Sequence, residues 1–228
     1  YYFYSYYLIE DNNEPINFSV PTGNFGDVYA GYLAKKIGLP INKFIVATNQ
    51  NDILHRAISN GAYTVENVSE TISPSMDIQI ASNFERLIYD LNNQSDEKTI
   101  EVMKSIKEKG KYLIDKENLE KINADFLSSR MDQADILNTI KTVYEKFNII
   151  LDPHSAIGYG AFDKVNLKGN NVVLATAHPC KFPDAIEKAI NLKAELPNEL
   201  AFVLDEKENY DIIENNLNKI KQHIKERI

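Results

Sequence analysis

Residues 16–48, INFSVPTGNFGDVYAGYLAKKIGLPINKFIVAT, decide the fold class of this chain. Ile16 to Val20 reads as a short buried strand that Pro21 ends. After a turn with glycines at 23 and 26, the positions Ala30, Leu33, Ala34 and Ile37 recur at helical spacing, predicting a helix over Asp27 to Ile37. Gly38-Leu39-Pro40 stops it, and Lys43 to Thr48 is again strand-like. Strand, helix and strand in this order make a βαβ unit, which calls for parallel strands and a right-handed crossover.

The turn itself carries chemistry. Glycines at 23 and 26 give the backbone conformations closed to other residues and a close approach to a ligand. The helix that follows presents unpaired N–H groups and a partial positive charge. Such a turn suits an anion, but it also serves as a plain βα connection, and the residues alone leave both readings open. It is not a P-loop, since no Gly-Lys-Ser/Thr follows, and it lacks the three-glycine dinucleotide pattern. A carboxylate facing a phosphate would repel it, so Asp27 is expected to cap or decorate the helix start with its side chain turned away.

Composition narrows the partners. The 228 residues suffice for one large α/β domain or two small ones. With a net charge of −8 and no cluster of Lys and Arg, the chain is not expected to bind nucleic acid. A single cysteine, Cys180, cannot form an internal disulfide, which fits a reducing cytoplasm. No cysteine or histidine pair has zinc-ligand spacing, so no metal site is expected. No apolar run has the roughly 18–20 residues that span a bilayer, and the first residues lack the regions of a signal peptide.

The opening YYFYSYYLIE is apolar around most of its circumference and is expected to be a buried helix. Asp52 to Ser59 reads as a helix stopped by Asn60-Gly61. A loop containing SPSMD leads to Ser82 and Glu85, which have capping-box spacing for a helix running through Leu91. The charge-rich residues from about 96 to 147 read as a helical excursion from the sheet. Strand character returns at Asn148 to Leu151, followed by DPHSAIGYGA as a loop, and at Asn171 to Ala175, followed by THPCKFPDA once Ala177 is skipped. Helices over about Asp184 to Ala194 and Tyr210 to Arg227 close the chain, which has no internal repeat.

Open α/β sheets bind ligands at the carboxyl ends of their strands. Thr176 is placed at such an end, where its hydroxyl either bonds a heteroaromatic nitrogen or merely terminates the strand. His154 and His178 are loop histidines that would act as a base or phosphate donor, or make structural bonds. Cys180 has no recognisable partner histidine for nucleophilic chemistry, and His55 and His223 fall on helical patterns.

Five blocks, VPTGNFGDVYAGYLAKKIGLP (20–40), FIVATNQNDILHR (44–56), SPSMDIQIASNFERLIYDL (73–91), DPHSAIGYGA (152–161) and LATAHPCKFPDA (174–185), together resemble the threonine synthases. These are pyridoxal-phosphate enzymes that convert O-phospho-L-homoserine and water to L-threonine and phosphate. The resemblance covers nearly the whole chain in the same order. It implies the tryptophan-synthase-β-like type II fold: α/β, with a mostly parallel sheet flanked by helices. Residues 1–228 would be the C-terminal portion of a pyridoxal-phosphate-binding α/β domain, with the helical excursion at about 96–147.

By the same resemblance, Gly23, Asn24, Phe25, Gly26 and Asp27 would cradle the cofactor phosphate. The hydroxyl of Thr176 would face the pyridine nitrogen, and a neutral partner there need not keep that nitrogen protonated. The family carries its Schiff-base lysine in a phenylalanine-lysine-aspartate motif upstream of all these blocks, and that motif does not occur in this chain. Lys181 is the only lysine close to a matched site, but the family places its lysine elsewhere, so the catalytic residue is left unassigned. Starting at Tyr1 rather than Met, the chain is expected to be approximately the C-terminal half of such an enzyme, partnered by a missing N-terminal half that would cover the aromatic opening. Alone it is expected to be inactive. The alternative is a catalytically inactive relative that binds phosphate or pyridoxal phosphate through Gly23 to Asp27. A type II dehydratase is a third class, from which SPSMDI and the ATAHP block point away.

Overall fold

Alternation along the second strand sorts the core into two layers. In the computed structural model, which describes residues 1–9 and 14–228, Phe44 and Val46 enter one hydrophobic cluster while Ile45 and Ala47 enter another. That is the period of a strand buried on both faces. The described residues divide into two units, Tyr1–Ala194 and Glu195–Ile228.

In chain order the first unit runs α1 (Tyr2–Leu8), β1 (Ile16–Pro21), α2 (Gly26–Lys36), β2 (Ile41–Thr48), α3 (Ile53–Asn60), β3 (Ala62–Thr64), α4 (Phe84–Leu91), α5 (Asp96–Lys109) and β4 (Lys111–Leu113). It continues with α6 (Lys116–Asp125), β5 (Phe126–Arg130), α7 (Gln133–Phe147), α8 (Pro153–Val165), β6 (Asn170–Val173) and α9 (Pro183–Ile190). The main sheet has the order β5-β2-β1-β6 with every pair parallel, and β3 and β4 form a separate antiparallel pair. The expected βαβ unit is therefore present, with Phe18 opposite Phe44 and Val20 opposite Val46. Because β2 and β5 continue to one side of β1 and β6 adds on the other, strand order reverses beside β1. A crevice at the carboxyl end of such a reversal is the usual ligand position in open α/β sheets.

One face is aromatic. Phe18, Phe44 and Phe126 lie in the sheet, each no more than 1% exposed, and Phe44 stacks on Phe126 at 5.5 Å. Helix α2 comes close here because residue 31 has no side chain: a Cβ on Gly31 would meet the rings of Tyr2 at 2.5 Å and Phe44 at 2.6 Å. The buried face of α2 is thus Val28, Gly31 and Ala34. The expected stripe is corrected by one step, since Ala30, Leu33 and Ile37 are exposed. The other face is aliphatic, filled by Ile136 and Ile140 of α7, Ala156, Ile157 and Ala161 of α8, and Ile186 of α9.

Several expectations change. The opening helix forms, but only Tyr2 is buried, whereas Tyr4 and Tyr7 are 70% and 74% exposed. The excursion at 96–147 is not purely helical: it contains β4 and β5, and β5 joins the main sheet beside β2. Conversely, Asn148 to Leu151 is no strand. Asn148 ends α7 in the left-handed conformation and Ile149 is exposed, so the apolar run links two helices. DPHSAIGYGA is the first part of α8, not a loop. Helix α4 starts at Asn83 without a side-chain cap, so the Ser82–Glu85 box is not formed. Helix α9 ends at Ile190, earlier than expected. The second unit holds a short 3-10 stretch (Asn198–Leu204) and α10 (Leu217–Lys225), capped by Asn216, so the final helix starts later than Tyr210.

Candidate functional site

The turn after β1 is built by its neighbours. The Thr22 amide continues the sheet ladder to the Ala47 carbonyl at 3.0 Å, and the Thr22 hydroxyl accepts from the Phe25 amide at 3.0 Å. Phe25, the residue before α2, is left-handed at φ 66° and fully buried. A non-glycine residue there is strained. Its ring packs edge-on against Phe84 at 5.2 Å and near Phe126 at 5.7 Å, which holds the conformation in place.

Neither Gly23 nor Gly26 has a positive φ, contrary to the expected conformational role. Both are required by close approach instead. A Cβ on Gly23 would lie 3.0 Å from the Met76 backbone, and one on Gly26 would lie 3.0 Å from Asn24 Oδ1, which accepts the Gly26 amide at 2.8 Å. Among the described residues the amides of Gly23, Asn24, Asp27 and Val28 have no hydrogen-bond acceptor. They form a small set of unpaired donors at a helix start, the arrangement that receives anions.

Asp27 lines the cleft described below, and no side chain caps α2. Burial pushes its carboxyl up from the ordinary value, partly offset by the neighbouring Tyr2 hydroxyl, which donates to the Asp27 main-chain carbonyl at 2.8 Å.

Opposite the turn, β6 ends and α8 begins. Asp152 is 1% exposed and caps α8, accepting from the His154 amide at 2.8 Å and the Ser155 amide at 3.4 Å. The Ser155 hydroxyl donates to Asp152 and accepts from the Thr176 amide at 3.2 Å. One buried carboxylate thereby fixes the backbone of Thr176, whose hydroxyl has no partner among the described residues. His178 caps the short 3-10 turn Pro179–Lys181, and its Nδ1 lies 2.9 Å from Cys180 Sγ. The structure thus supplies the partner histidine that the sequence did not suggest. Nδ1 also accepts the Cys180 amide at 3.2 Å, so it acts as an acceptor there.

The SPSMD segment forms the third wall. Asp77 accepts from Asn49 at 2.7 Å, Asn51 at 2.9 Å, and the Thr71 amide and hydroxyl at 2.7 and 2.6 Å. Asn49 also donates to Ser73 at 2.9 Å. This clasp ties a long loop to the end of β2, setting Ser75 and Met76 against Gly23.

Together these walls enclose a cavity of about 210 Å³ lined by Gly23, Asn24, Asp27, Ser75, His154, Thr176 and Lys181, among others. A second cavity of about 680 Å³ shares Asn24, Asp27 and Thr176, and adds Gly26, Tyr1 and Tyr4. The structure brings Gly23, Asn24, Asp27 and Thr176 to one cleft and Gly26 to its neighbour, while the Phe25 side chain belongs to the core. His55 bonds Ser128 at 2.9 Å, away from the cleft.

The family model described as "Threonine synthase, C-terminal" matches residues 155–224. The curated threonine synthase of Pseudomonas aeruginosa is 39% identical over 98% of this chain and 48% of its own length. The crystal structure titled as pyridoxal-phosphate-bound threonine synthase from Brucella melitensis superposes with a TM-score of 0.91 at 40% identity, covering 99% of this chain and 49% of that one. The yeast threonine synthase structure gives 0.86 at 38% identity, over 99% and 50%. The chain belongs to the threonine synthase family. It spans about half the length of these relatives.

As a threonine synthase family member it has the type II fold, with the parallel sheet and flanking helices expected of it. Asp152, Ser155, Asn49 and Asp77 are the site-building residues that sequence reasoning missed in this family member. For Asp152 the signal was there, since Asp followed by Pro and a helical pattern is a helix start. The Asn49–Asp77 clasp joins residues far apart in sequence and has no local signature.

Proposed function

We propose that this chain is the C-terminal portion, residues 1–228, of a pyridoxal-phosphate-binding α/β domain of a threonine synthase, acting in conversion of O-phospho-L-homoserine and water to L-threonine and phosphate. The observation that carries this reading is the convergence of four separate family-like blocks on one cleft at the carboxyl ends of β1 and β6. The cleft fits the cofactor. Unpaired amides at 23, 24, 27 and 28 would receive its phosphate, and the unpartnered hydroxyl of Thr176 would meet its ring nitrogen. Bound there, pyridoxal phosphate supplies an electron sink for chemistry next to the substrate amino group.

The protein's own contributions are positional and electrostatic. Gly23 and Gly26 keep the amides accessible, Asp152 through Ser155 orients Thr176, and the Asn49–Asp77 clasp holds Ser75 and Met76 over the turn. The lysine that would hold the cofactor aldehyde is not assigned to this chain; in this reading it comes from an N-terminal half, which would also cover Tyr1 and Tyr4 beside the larger cavity. A cytoplasmic setting is part of this proposal; among the described residues no helix is long and apolar enough to cross a membrane.

Titration of the chain with pyridoxal phosphate, followed by cofactor fluorescence, tests the cradle: binding is expected, and Gly23→Val should weaken it at least about tenfold, because the new side chain meets Met76 backbone. Equal affinity in the variant overturns the cradle. Borohydride treatment should leave no cofactor adduct on the chain alone, and an adduct on Lys181 would refute the proposed outside source of the lysine.

A further inference from the structure

His154 lines the cleft, is 4% exposed, and has one ring nitrogen accounted for and one not. Nδ1 lies 3.1 Å from Asp152 Oδ1. Burial pushes the Asp152 carboxyl up, but hydrogen bonds from His154 and Ser155 outweigh it and hold the group below its ordinary value. Asp152 is then ionised at neutral pH and can only accept, so Nδ1 carries the hydrogen. In the neutral ring Nε2 is left as a bare lone pair. That atom is buried and has no hydrogen-bond partner among the described residues. Leaving such an atom unpaired is unfavourable, and a ligand in the cleft would satisfy it.

We propose that His154 is the proton acceptor of this cleft, fixed as the Nδ1–H tautomer by Asp152, with Nε2 meeting an O–H of a water or hydroxyl at the bound ligand. The geometry is that of a carboxylate–imidazole dyad, with the carboxylate orienting the ring and keeping its own charge. When the proton moves, the O–H bond breaks, an Nε2–H bond forms, and the electron pair of the O–H bond stays on the oxygen. The Phe182 ring, 4.8 Å from the imidazole and tilted by 50°, packs against it. The other titratable groups lining the cleft are Asp27 from α2 and Lys181 from the segment after β6, while Asp152 precedes α8. Asp152 is shared between this dyad and the Ser155 link to the Thr176 amide, so a single residue orients both the proton acceptor and the Thr176 backbone.

The tautomer is independent of the cofactor reading, whereas a role in turnover rests on it, and the two arms of the test keep them apart. Nitrogen-15 NMR of the histidine-labelled chain at neutral pH, with His154 assigned by triple resonance, should show Nδ1 protonated and Nε2 bare. A protonated Nε2 with a bare Nδ1 overturns the proposal. In the complete holoenzyme, His154→Gln should lower kcat at least about a hundredfold with KM changed less than about threefold. Unchanged kcat, or loss of activity that tracks only loss of cofactor absorbance, overturns the catalytic role. Failure of the unaltered enzyme to bind cofactor would sink the proposed function while leaving the NMR result standing.

Discussion

Two helices begin at the cleft, and they begin in opposite ways. Helix α2 starts with no side-chain cap, so amides around it lack acceptors, and its entry residue Phe25 is strained and held by aromatic packing. Helix α8 starts closed: Asp152 accepts its first amides, and the strain is replaced by a buried network. An open start can receive an anion because its donors are free. A closed start has spent its donors internally, so what it offers the cleft is an oriented side chain, His154. Packing follows the same division, since α2 lies on the aromatic face of the sheet and α8 on the aliphatic one. Glycine at 158, whose Cβ would meet Pro21 at 3.0 Å, lets α8 approach β1 closely enough for its start to share a cleft with the turn.

Substitutions can break this contrast. The largest effect is expected for Phe25→Ala, which keeps the unfavourable φ but removes the ring that enforces it; urea unfolding should show a loss of about 3–5 kcal/mol. Next comes Asp152→Asn, which opens the α8 start, with an expected loss of about 2–3 kcal/mol at neutral pH. Because the folded carboxyl is held below its unfolded value of about 3.9, its contribution is complete above that value. It is lost as pH falls through the folded value, so the gap between the two proteins should close in acid and persist at pH 7. A gap independent of pH would mean that the carboxylate charge is not what closes the helix.

Gly26→Ala tests the open start more gently. Its Cβ would crowd Asn24 Oδ1 at the expense of a hydrogen bond, costing about 1 kcal/mol in thermal or urea unfolding. The smallest effect is expected at Ser82, which has the right spacing to cap α4 but makes no such bond; Ser82→Ala should stay within about 0.5 kcal/mol. A loss nearer that of a true cap would contradict the observed start at Asn83.

Legibility followed the range of the signal. The βαβ unit was readable because its strands are continuous apolar runs and its helix ends in Gly38 with the left-handed φ of 110° that only glycine adopts easily. Strand β5 was not, because Phe126–Arg130 is short, half buried and embedded between charged helices; it is a strand because β2 offers it a parallel ladder from Phe44 to Thr48. The helix face of α2 was misread by one position because Gly31, the residue closest to the sheet, has no apolar side chain to mark it. Among the site residues, Thr176 was placed by its strand end, whereas Phe25 was assigned to the cleft although its ring is needed in the core.

By itself the sequence determined the parallel α/β class, the glycine turn and its place before a helix, and the family resemblance, since these rest on local periodicity and short motifs. Only the tertiary structure decided that the glycines serve close approach while Phe25 takes the left-handed turn. It also decided that Asp27 lines the cleft, and that Asp152 joins His154 and Thr176 at the cleft. Hydrogen bonds and steric limits between residues tens of positions apart have no period along the chain, and become definite only when the sheet brings its strand ends together.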